Sequence, residues 1–471
     1  MAAGGAAAPR AGASRRGGAR GAGGARAARG GGGGGRGAGR AGAAGAAGAA
    51  GAAAGAGAVE AQYEEFVLGT YARPAGLVLE RGAGCRLWDA AGREYLDFAA
   101  GIAVNCLGHS DPGWVEVVRR QAGELVHVSN LYHTPPVGRL AEALVRGCGG
   151  WASQAFFCNS GAEANEGAVK FCRRAARAEW EAAGSPGGRP RAGQVVGGPP
   201  TEVVAFSGGF HGRTMGALAL TWKENYRAPF APVMPGVRFA QWGDLESARA
   251  AVVPGRTCAV VVEPVQGEGG CVAAETDFLQ GLRALCDEAG AFLMFDEVQC
   301  GLGRTGTLFA HQAYGVEPDV MTLAKPLAAG LPIGSVLLAE RVARAVQPGD
   351  HGSTFAAGPL VCAAAEYTLG RIDDPALLAN VGERGAQLQA GLRAALEGHP
   401  RVREVRGRGL LVGVHCTEPV GPLVEAARAR GLLVIPAGEG DVLRMVPPLV
   451  VSEAEVAEAV GTLRECFQEW R

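Results

Sequence analysis

Short, unbroken apolar runs alternate with helical patterns through the middle of the chain. Four such runs cover residues 202–206, 258–262, 291–295 and 320–324, and their composition predicts buried strands. The alternation extends from about residue 150 to 340, which predicts an α/β core with a mostly parallel sheet. Because such sheets bind ligands at the carboxyl ends of their strands, the residues that follow each run are the first candidates for a site.

The residues after two of these runs carry groups suited to one kind of chemistry. Asp296 and Gln299 follow the run 291–295, and Lys325 follows the run 320–324. A carboxylate there can pair with a protonated pyridine nitrogen, and an amide can hydrogen-bond a ring hydroxyl. For either residue alone, a strand end that only caps the next turn stays an open alternative.

Lysine is scarce in this chain, which makes Lys325 more informative. Only Lys170, Lys223 and Lys325 are lysines among 45 basic residues. Lys325 stands between a predicted strand and a loop of small residues, where an amine can be partly desolvated and approached by a flat ligand. The pattern therefore predicts a lysine that reacts with a carbonyl group.

Residues 301–306 also fit G-x-G-x-x-G, but no helix is predicted at the third glycine, so a dinucleotide site is not favoured.

Five further segments offer groups for anions, a planar ring or basic side chains. Gly161 and Ala162 begin a predicted helix and can leave backbone N–H groups free for a phosphate, while Ser160 and Glu163 form a capping-box pattern compatible with that role. The other candidates are Phe210 for ring stacking, Arg213 for a carboxylate, the carboxylates Glu263 and Glu268, the hydroxyls of Ser353 and Thr354, and Arg444 on a predicted strand. Taken singly, Phe210 also fits an ordinary core and Arg213 a surface ion pair.

The first 58 residues differ in composition from all that follows. They are almost entirely Ala, Gly and Arg, and residues 1–59 hold eight arginines and no acid. An Arg-rich, acid-free segment predicts a transit peptide, with a disordered tail or an RGG-like nucleic-acid arm as alternatives.

The rest of the chain has 37 basic and 46 acidic residues, a net charge of −9, which argues against nucleic-acid binding. No apolar run predicts a membrane span, and the twelve scattered cysteines predict neither a metal site nor a disulfide framework.

Together, these stretches resemble the class III pyridoxal-phosphate-dependent aminotransferases, and within that family the plant and algal members that act on acetylornithine. The likeness runs from about Tyr71 to the C-terminus. The matching segments are YLDFAAGIAVNCLGH, FFCNSGAEANEGAVK, SGGFHGRTMGALALT, VVEPVQGEGG, LMFDEVQCGLGRTG, MTLAKPLAAGLPIG, HGSTFAAGPLVC and LRMVPPLV.

The resemblance implies a type I aminotransferase fold and a homodimer with active sites at the subunit interface. The implied domains are residues 1–58 as transit peptide, 59–109 as part of a small α+β domain, 110–345 as the large cofactor-binding domain, and 346–471 as the rest of the small domain. The implied location is a chloroplast, with a mitochondrion as the alternative.

The resemblance also implies a role for each matching residue. Lys325 would bind pyridoxal 5′-phosphate covalently and shuttle the proton, Asp296 would hold the ring nitrogen and Gln299 the ring oxygen. Phe210 would stack on the ring, Gly161 and Ala162 would bind the phosphate, and Thr354 would reach the phosphate of the neighbouring subunit. Arg213, with Ser353 close by, would bind the α-carboxylate of N-acetylornithine. Arg444 would bind the carboxylate of glutamate or 2-oxoglutarate, and Glu268 would neutralise it while the amino donor is bound.

The implied reaction is amino transfer from N-acetylornithine to 2-oxoglutarate in arginine biosynthesis. It gives N-acetylglutamate 5-semialdehyde and glutamate in two half-reactions. The alternative is an ornithine δ-aminotransferase or another class III ω-aminotransferase. Ornithine-specific members usually have a tyrosine where this chain has Gly101, and a small residue there leaves space for an acyl group.

Overall fold

A computed structural model describes residues 56–184 and 198–470. Seventeen strands are defined within this part of the chain. They are β1 (Leu79–Ala83), β2 (Arg86–Asp89), β3 (Glu94–Asp97), β4 (Ala152–Cys158), β5 (Glu202–Phe206), β6 (Val237–Ala240), β7 (Thr257–Val262), β8 (Val265–Gln266), β9 (Val272–Ala273), β10 (Phe292–Asp296), β11 (Val320–Leu323), β12 (Gly334–Ala339), β13 (Val402–Arg408), β14 (Leu411–Cys416), β15 (Leu432–Leu433), β16 (Ile435–Ala437) and β17 (Val442–Met445).

The helices are placed between and around these strands. They are α1 (residues 56–66), α2 (Ala100–Ala103), α3 (Pro112–Glu124), α4 (Pro135–Gly147), α5 (Gly161–Ala182), α6 (Met215–Leu220), α7 (Glu224–Arg227), α8 (Leu245–Ala251), α9 (Thr276–Ala289), α10 (Glu340–Ala343), α11 (Pro359–Ile372), α12 (Pro375–Ala395), α13 (Gly421–Ala429) and α14 (Glu453–Glu469). Three short 3₁₀ helices cover Ala228–Phe230, Ala310–Ala313 and Lys325–Ala328.

A seven-stranded sheet forms the centre of the molecule, in the order β4-β12-β11-β10-β7-β5-β6. The pairs β11–β10, β10–β7, β7–β5 and β5–β6 are parallel, and β12 runs antiparallel to both of its neighbours. Strands β7, β10 and β11 are buried at every position, as their unbroken apolar runs predict. The mostly parallel sheet confirms the predicted α/β core.

Two smaller four-stranded sheets lie outside the central one. The sheet β13-β14-β17-β16 is antiparallel and carries Arg444. In the sheet β1-β2-β3-β15, a parallel pairing of Leu96 with Leu432 joins segments from the two ends of the described chain. This pairing supports the predicted small domain made of residues 59–109 and 346–471, and we propose that division.

Some element limits differ from what the residue pattern predicts. The pattern predicts that the helix beginning at Gly161 ends near Arg174, but α5 continues to Ala182, because residues 175–182 contain good helix formers and no breaker. The apolar residues 77–79 predict the first strand, which instead occupies Leu79–Ala83. The predicted transit peptide lies almost wholly outside the described residues, as do residues 185–197 of a segment, 181–200, whose Gly- and Pro-rich composition predicts a loop. Among the described helices, none is both long and apolar enough to cross a membrane.

Candidate active site

A cleft of about 400 Å³ opens at the carboxyl ends of the central strands. It brings together most of the residues that the sequence predicted for the cofactor. Its lining includes Gly161, Ala162, Phe210, Arg213, Asp296, Gln299 and Lys325. Asp296 and Lys325 meet because β10 and β11 are neighbouring parallel strands, with Asp296 in register with Thr322.

Lys325 lies directly beyond β11, at the first residue of a 3₁₀ turn. Its φ of 31° is in the left-handed region, which turns the chain sharply as it leaves the strand. Burial lowers the pKa of the Lys325 amine, an effect that Arg444 strengthens and the carboxylate of Glu268 opposes. Because a lowered pKa increases the unprotonated fraction, this amine is better suited to nucleophilic and base chemistry than an exposed lysine.

Asp296 is held by a buried polar network that the sequence did not predict. Its Oδ2 accepts hydrogen bonds from Asn165 Nδ2 at 2.8 Å and from His211 Nδ1 at 2.8 Å, and Asn165 Oδ1 accepts one from Thr322 Oγ1 at 2.8 Å. Burial acts to lower the pKa of His211, but the hydrogen bond and the charge of Asp296 outweigh it, so the pKa is raised. The network fixes the orientation of the Asp296 carboxylate in the wall of the cleft.

The start of α5 lines the cleft with backbone N–H groups of a kind that suits an anion. Ser160 Oγ accepts the Glu163 N–H at 3.2 Å, as the predicted capping box requires. The Glu163 carboxylate, however, accepts the N–H of Asn159 and not that of Ser160. Within the described chain, the N–H groups of Gly161 and Ala162 have no hydrogen-bond acceptor. A Cβ on Gly161 would lie 2.7 Å from Val298, so a larger residue would clash at this position.

Phe210 and Arg213 lie together at one side of the cleft. The Phe210 N–H donates to Glu263 Oε1 at 2.9 Å, which fixes the loop that carries the ring. Arg213 is exposed, and its guanidinium carbon lies 3.5 Å from the centre of the Tyr226 ring. The sequence did not single out Tyr226, because its position next to Arg213 depends on how α7 packs against the loop of Arg213.

Arg444 and Glu268 form an ion pair beside the cleft. Arg444 is 2% exposed, and its Nη1 lies 2.8 Å from Glu268 Oε1 and 2.9 Å from Gln299 Oε1. Burial acts to raise the pKa of Glu268, but the charges of Arg444 and Lys325 outweigh it, so the pKa is lowered. At neutral pH the carboxylate is ionised and neutralises Arg444. This is the pairing that the resemblance implied, between residues 176 positions apart in sequence.

Ser353 and Thr354 lie outside the cleft lining of this subunit. Ser353 Oγ accepts a hydrogen bond from Asn159 Nδ2 at 2.8 Å, and no hydrogen bond joins it to Arg213 within the described chain. Thr354 is exposed. The roles implied for these two residues therefore stay predictions.

Glu263 is a buried carboxyl group that faces the Asp296 network. It accepts the N–H groups of Phe210 and Gly267. Burial raises the pKa of Glu263 to about 7, although the nearby His211 acts to lower it. The carboxyl group is thus partly protonated at neutral pH.

This pKa predicts a pH dependence of stability. Between pH 4.5 and about 7 the folded protein keeps a proton on Glu263 that the unfolded chain has lost. The free energy of unfolding should therefore fall as pH rises through this range, by about 1–3 kcal/mol. In a Glu263→Gln variant that contribution is absent, and thermal midpoints measured at steps from pH 4.5 to 8 should decline less steeply than in wild type. Parallel curves would show that Glu263 titrates normally.

The site fits pyridoxal phosphate on its own geometry. Two free N–H groups at a helix start suit a phosphate, a buried oriented carboxylate suits a ring nitrogen, and a desolvated amine suits an aldehyde. Among the described residues, no group of three or more His, Cys, Asp or Glu is arranged to hold a metal ion.

Comparison with known proteins agrees with this geometry. A family model described as "Aminotransferase class-III" matches residues 70–467. The chain is 52% identical over 401 residues to "Acetylornithine aminotransferase, mitochondrial" of Alnus glutinosa, with 85% of each protein covered. It is 45% identical over 411 residues to acetylornithine aminotransferase of Gloeobacter violaceus, covering 87% of this chain and 97% of that protein.

Solved structures show the same fold. N-acetylornithine aminotransferase from Stenotrophomonas maltophilia has 36% sequence identity and a TM-score of 0.71, covering 87% of this chain and 98% of its own. Ornithine aminotransferase from Toxoplasma gondii has 31% identity and a TM-score of 0.81, covering 88% and 96%. Backbone similarity thus does not separate the two kinds of relative, whereas the higher identity belongs to the acetylornithine type.

Proposed function

The chain belongs to the class III aminotransferases, and on that premise we propose that it transfers the δ-amino group of N-acetylornithine to 2-oxoglutarate. It is an enzyme that uses pyridoxal phosphate. The observation that carries the proposal is the contrast between two arginines, Arg213 in the cleft lining and Arg444 beside it. Arg444 is neutralised by Glu268 at 2.8 Å, whereas Arg213 has no ion pair within the described chain. The acetylornithine aminotransferases at 52% and 45% identity support the choice of donor.

The two arginines suit two substrates that differ in charge. The donor has one carboxylate and needs one unneutralised arginine, which Arg213 provides. The acceptor has two carboxylates and needs both, so Glu268 must leave Arg444 when the acceptor binds. Because a buried charge needs a partner in each state, Glu268 serves as the partner of Arg444 while the donor is bound.

Several residues of this chain prepare the remaining chemistry. When bound, pyridoxal phosphate supplies an aldehyde that takes up the amino group and a ring that stabilises negative charge on the substrate carbon. Lys325 would move the proton between carbon atoms, since burial lowers its pKa and leaves more of the amine unprotonated than in an exposed lysine. Asp296 would keep a proton on the ring nitrogen, and the start of α5 would hold the phosphate.

The first test is an absorbance titration of the purified enzyme with its cofactor. N-acetylornithine should shift the cofactor band, and 2-oxoglutarate should restore it, with glutamate and the semialdehyde as products. If ornithine shifts the band and N-acetylornithine does not, the enzyme is of the ornithine type. The choice between the two donors is therefore tested on the wild-type enzyme. A Gly101→Tyr variant, which would introduce the residue usual in ornithine-specific members, is a less direct test. Gly101 has a φ of 63°, so any side chain there adds backbone strain to the comparison.

Replacing Glu268 by glutamine should change substrate preference. The variant leaves Arg444 without its neutralising charge, so the donor carboxylate has two competing arginines. We expect kcat/KM for N-acetylornithine to fall about tenfold or more relative to kcat/KM for glutamate. Single half-reactions followed by absorbance measure both values. Glu439→Gln, which alters an exposed acid on a neighbouring loop, should leave the ratio unchanged. An unchanged ratio in Glu268→Gln would remove the proposed role of this ion pair.

We propose further that the enzyme is a homodimer in which Thr354 completes the partner's site. Asn130 Nδ2 donates to Ala356 O at 3.1 Å, so the segment after Asn130 lies beside the loop that carries this threonine. The two segments expose apolar side chains, with Leu131 at 82%, Tyr132 at 69% and Phe355 at 71% exposure. Such a patch is typical of a protein interface. Mixing Lys325→Ala and Thr354→Ala subunits should restore activity, because each mixed dimer contains one intact site. No recovery, or a monomer by sedimentation, would contradict the dimer.

For residues 1–58 we propose organelle targeting. Relatives from Alnus glutinosa, Dictyostelium discoideum and Neurospora crassa are named as mitochondrial, which favours the mitochondrion over the chloroplast. A fluorescent fusion of residues 1–58 imaged in cells of the source organism tests this. Mitochondrial signal supports the proposal, plastid signal redirects it, and diffuse or nuclear signal rejects targeting.

A further inference from the structure

Arg213 is supported by an aromatic ring and not by an acid. Its guanidinium carbon lies 3.5 Å from the ring centre of Tyr226 and 5.6 Å from that of Phe210. The two rings are nearly perpendicular, with an interplanar angle of 87° and centres 6.5 Å apart. Within the described chain, Arg213 makes no ion pair and no hydrogen bond. We propose that Tyr226 is a positioning residue that sets the selectivity of the enzyme for substrates carrying an α-carboxylate.

The backbone around Tyr226 is anchored to both sides of the cleft. The Tyr226 N–H donates to Lys223 O at 3.1 Å, and the Lys223 amine donates to the carbonyl oxygen of Gly438. The Trp222 N–H donates to Gly209 O at 2.8 Å, next to Phe210. These contacts tie the short helix α7 to the Phe210 loop on one side and to the loop after β16 on the other. The Tyr226 ring is therefore a fixed surface on which Arg213 can stack.

Stacking and ion pairing have different consequences for an arginine. A carboxylate partner would orient the guanidinium but would also neutralise it and occupy its N–H donors. An aromatic face orients the guanidinium by cation–π attraction and leaves its charge and in-plane donors available. Arg444, paired with Glu268, shows the first arrangement, and Arg213 shows the second. Arg213 is thus ready for a carboxylate in both half-reactions. This inference rests on the proposed role of Arg213 in substrate binding.

The test compares donors with and without a carboxylate in two variants of the enzyme loaded with its cofactor. N-acetylornithine is paired with N-acetyl-1,4-diaminobutane, and ornithine with 1,4-diaminobutane, so that the second member of each pair lacks only the carboxylate. In Tyr226→Leu we expect KM for the carboxylate-bearing donor to rise about tenfold with kcat changed by less than about twofold. The analogue without the carboxylate should react as it does with wild type. Tyr226→Phe keeps the ring and should restore wild-type KM within about twofold.

The outcomes separate this inference from the proposed function. Arg213→Met serves as the reference for a complete loss of carboxylate selectivity, and Arg213→Met combined with Tyr226→Leu should lose no more than Arg213→Met alone. If Arg213→Met affects both members of a pair equally, the substrate role of Arg213 is wrong. If Arg213→Met is selective but Tyr226→Leu is not, or if Tyr226→Phe behaves as Tyr226→Leu does, the role of Tyr226 is overturned. Because each result is a ratio of two donors on one sample, partial unfolding of a variant does not affect it.

Discussion

Replacing Lys325 by alanine should lower the rate of amino transfer at least about a thousandfold, because the variant lacks the amine that we propose both binds the cofactor and moves the proton. Lys325→Arg should be as inactive. Arginine keeps the positive charge beside Glu268 but stays protonated, so it cannot act as nucleophile or base. Equal losses in both variants would show that the amine itself is required. Steady-state assays with N-acetylornithine and 2-oxoglutarate measure these rates.

A second measurement on the same variants does not depend on activity. Borohydride reduction of the cofactor-loaded enzyme should fix the cofactor on the Lys325 peptide of wild type, as detected by mass spectrometry, and should leave both variants unlabelled. Lys170→Arg is the matched control, since Lys170 Nζ donates to Asp350 O at 3.0 Å and an arginine can keep that contact. The control should be active and labelled. More than about a tenth of wild-type activity in Lys325→Ala would contradict the assignment.

The Asp296→Asn substitution should lower kcat about 100- to 1000-fold with a smaller effect on substrate KM. Asparagine has the shape of aspartate, but it cannot supply the negative charge that keeps a ring nitrogen protonated. Both oxygens of Asp296 accept hydrogen bonds, Oδ2 from Asn165 and His211 and Oδ1 from the Val298 N–H. In either orientation the asparagine NH₂ group therefore faces a hydrogen-bond donor. Stability should therefore fall as well, by about 1–3 kcal/mol.

The neighbouring Glu297 provides the control that separates charge from stability. Its oxygens accept the N–H groups of Ala310 at 2.6 Å and His311 at 2.7 Å, and it does not line the cleft. Burial raises the pKa of Glu297 to about 8, so little negative charge is lost when it becomes glutamine. Glu297→Gln should lower the melting temperature much as Asp296→Asn does and keep kcat per folded enzyme. Similar kcat losses in both variants would mean that Asp296 acts only through stability.

The limits of prediction from sequence are visible in the partners of Asp296. Asp296 and Lys325 could be placed together because each ends a local apolar run, and neighbouring parallel strands end at the same edge of a sheet. His211 and Asn165 could not be assigned to Asp296, since they come from a loop and a helix 85 and 131 residues away. Both residues stand among other polar residues, Asn165 between Glu163 and Glu166 and His211 near Arg213, so the sequence gives no sign that they are buried.

The same distinction applies to the two arginines. The sequence predicted one arginine in a loop and the other on a strand, and the family resemblance implied a substrate for each. The sequence did not show their different electrostatic states. The contact of Glu268 with Arg444 joins residues 176 positions apart, and the contact of Tyr226 with Arg213 depends on how α7 packs against the Arg213 loop.

The sequence by itself thus determined the α/β fold class and placed the candidate lysine, carboxylate and helix start directly after predicted strands, all of which depend on short-range periodicity and residue type. Only the tertiary structure decided which buried acids are paired, which amines are desolvated and which arginine is free to bind a carboxylate. These properties depend on distances of a few ångströms between distant segments, and electrostatic energies in a low-dielectric interior change steeply over such distances.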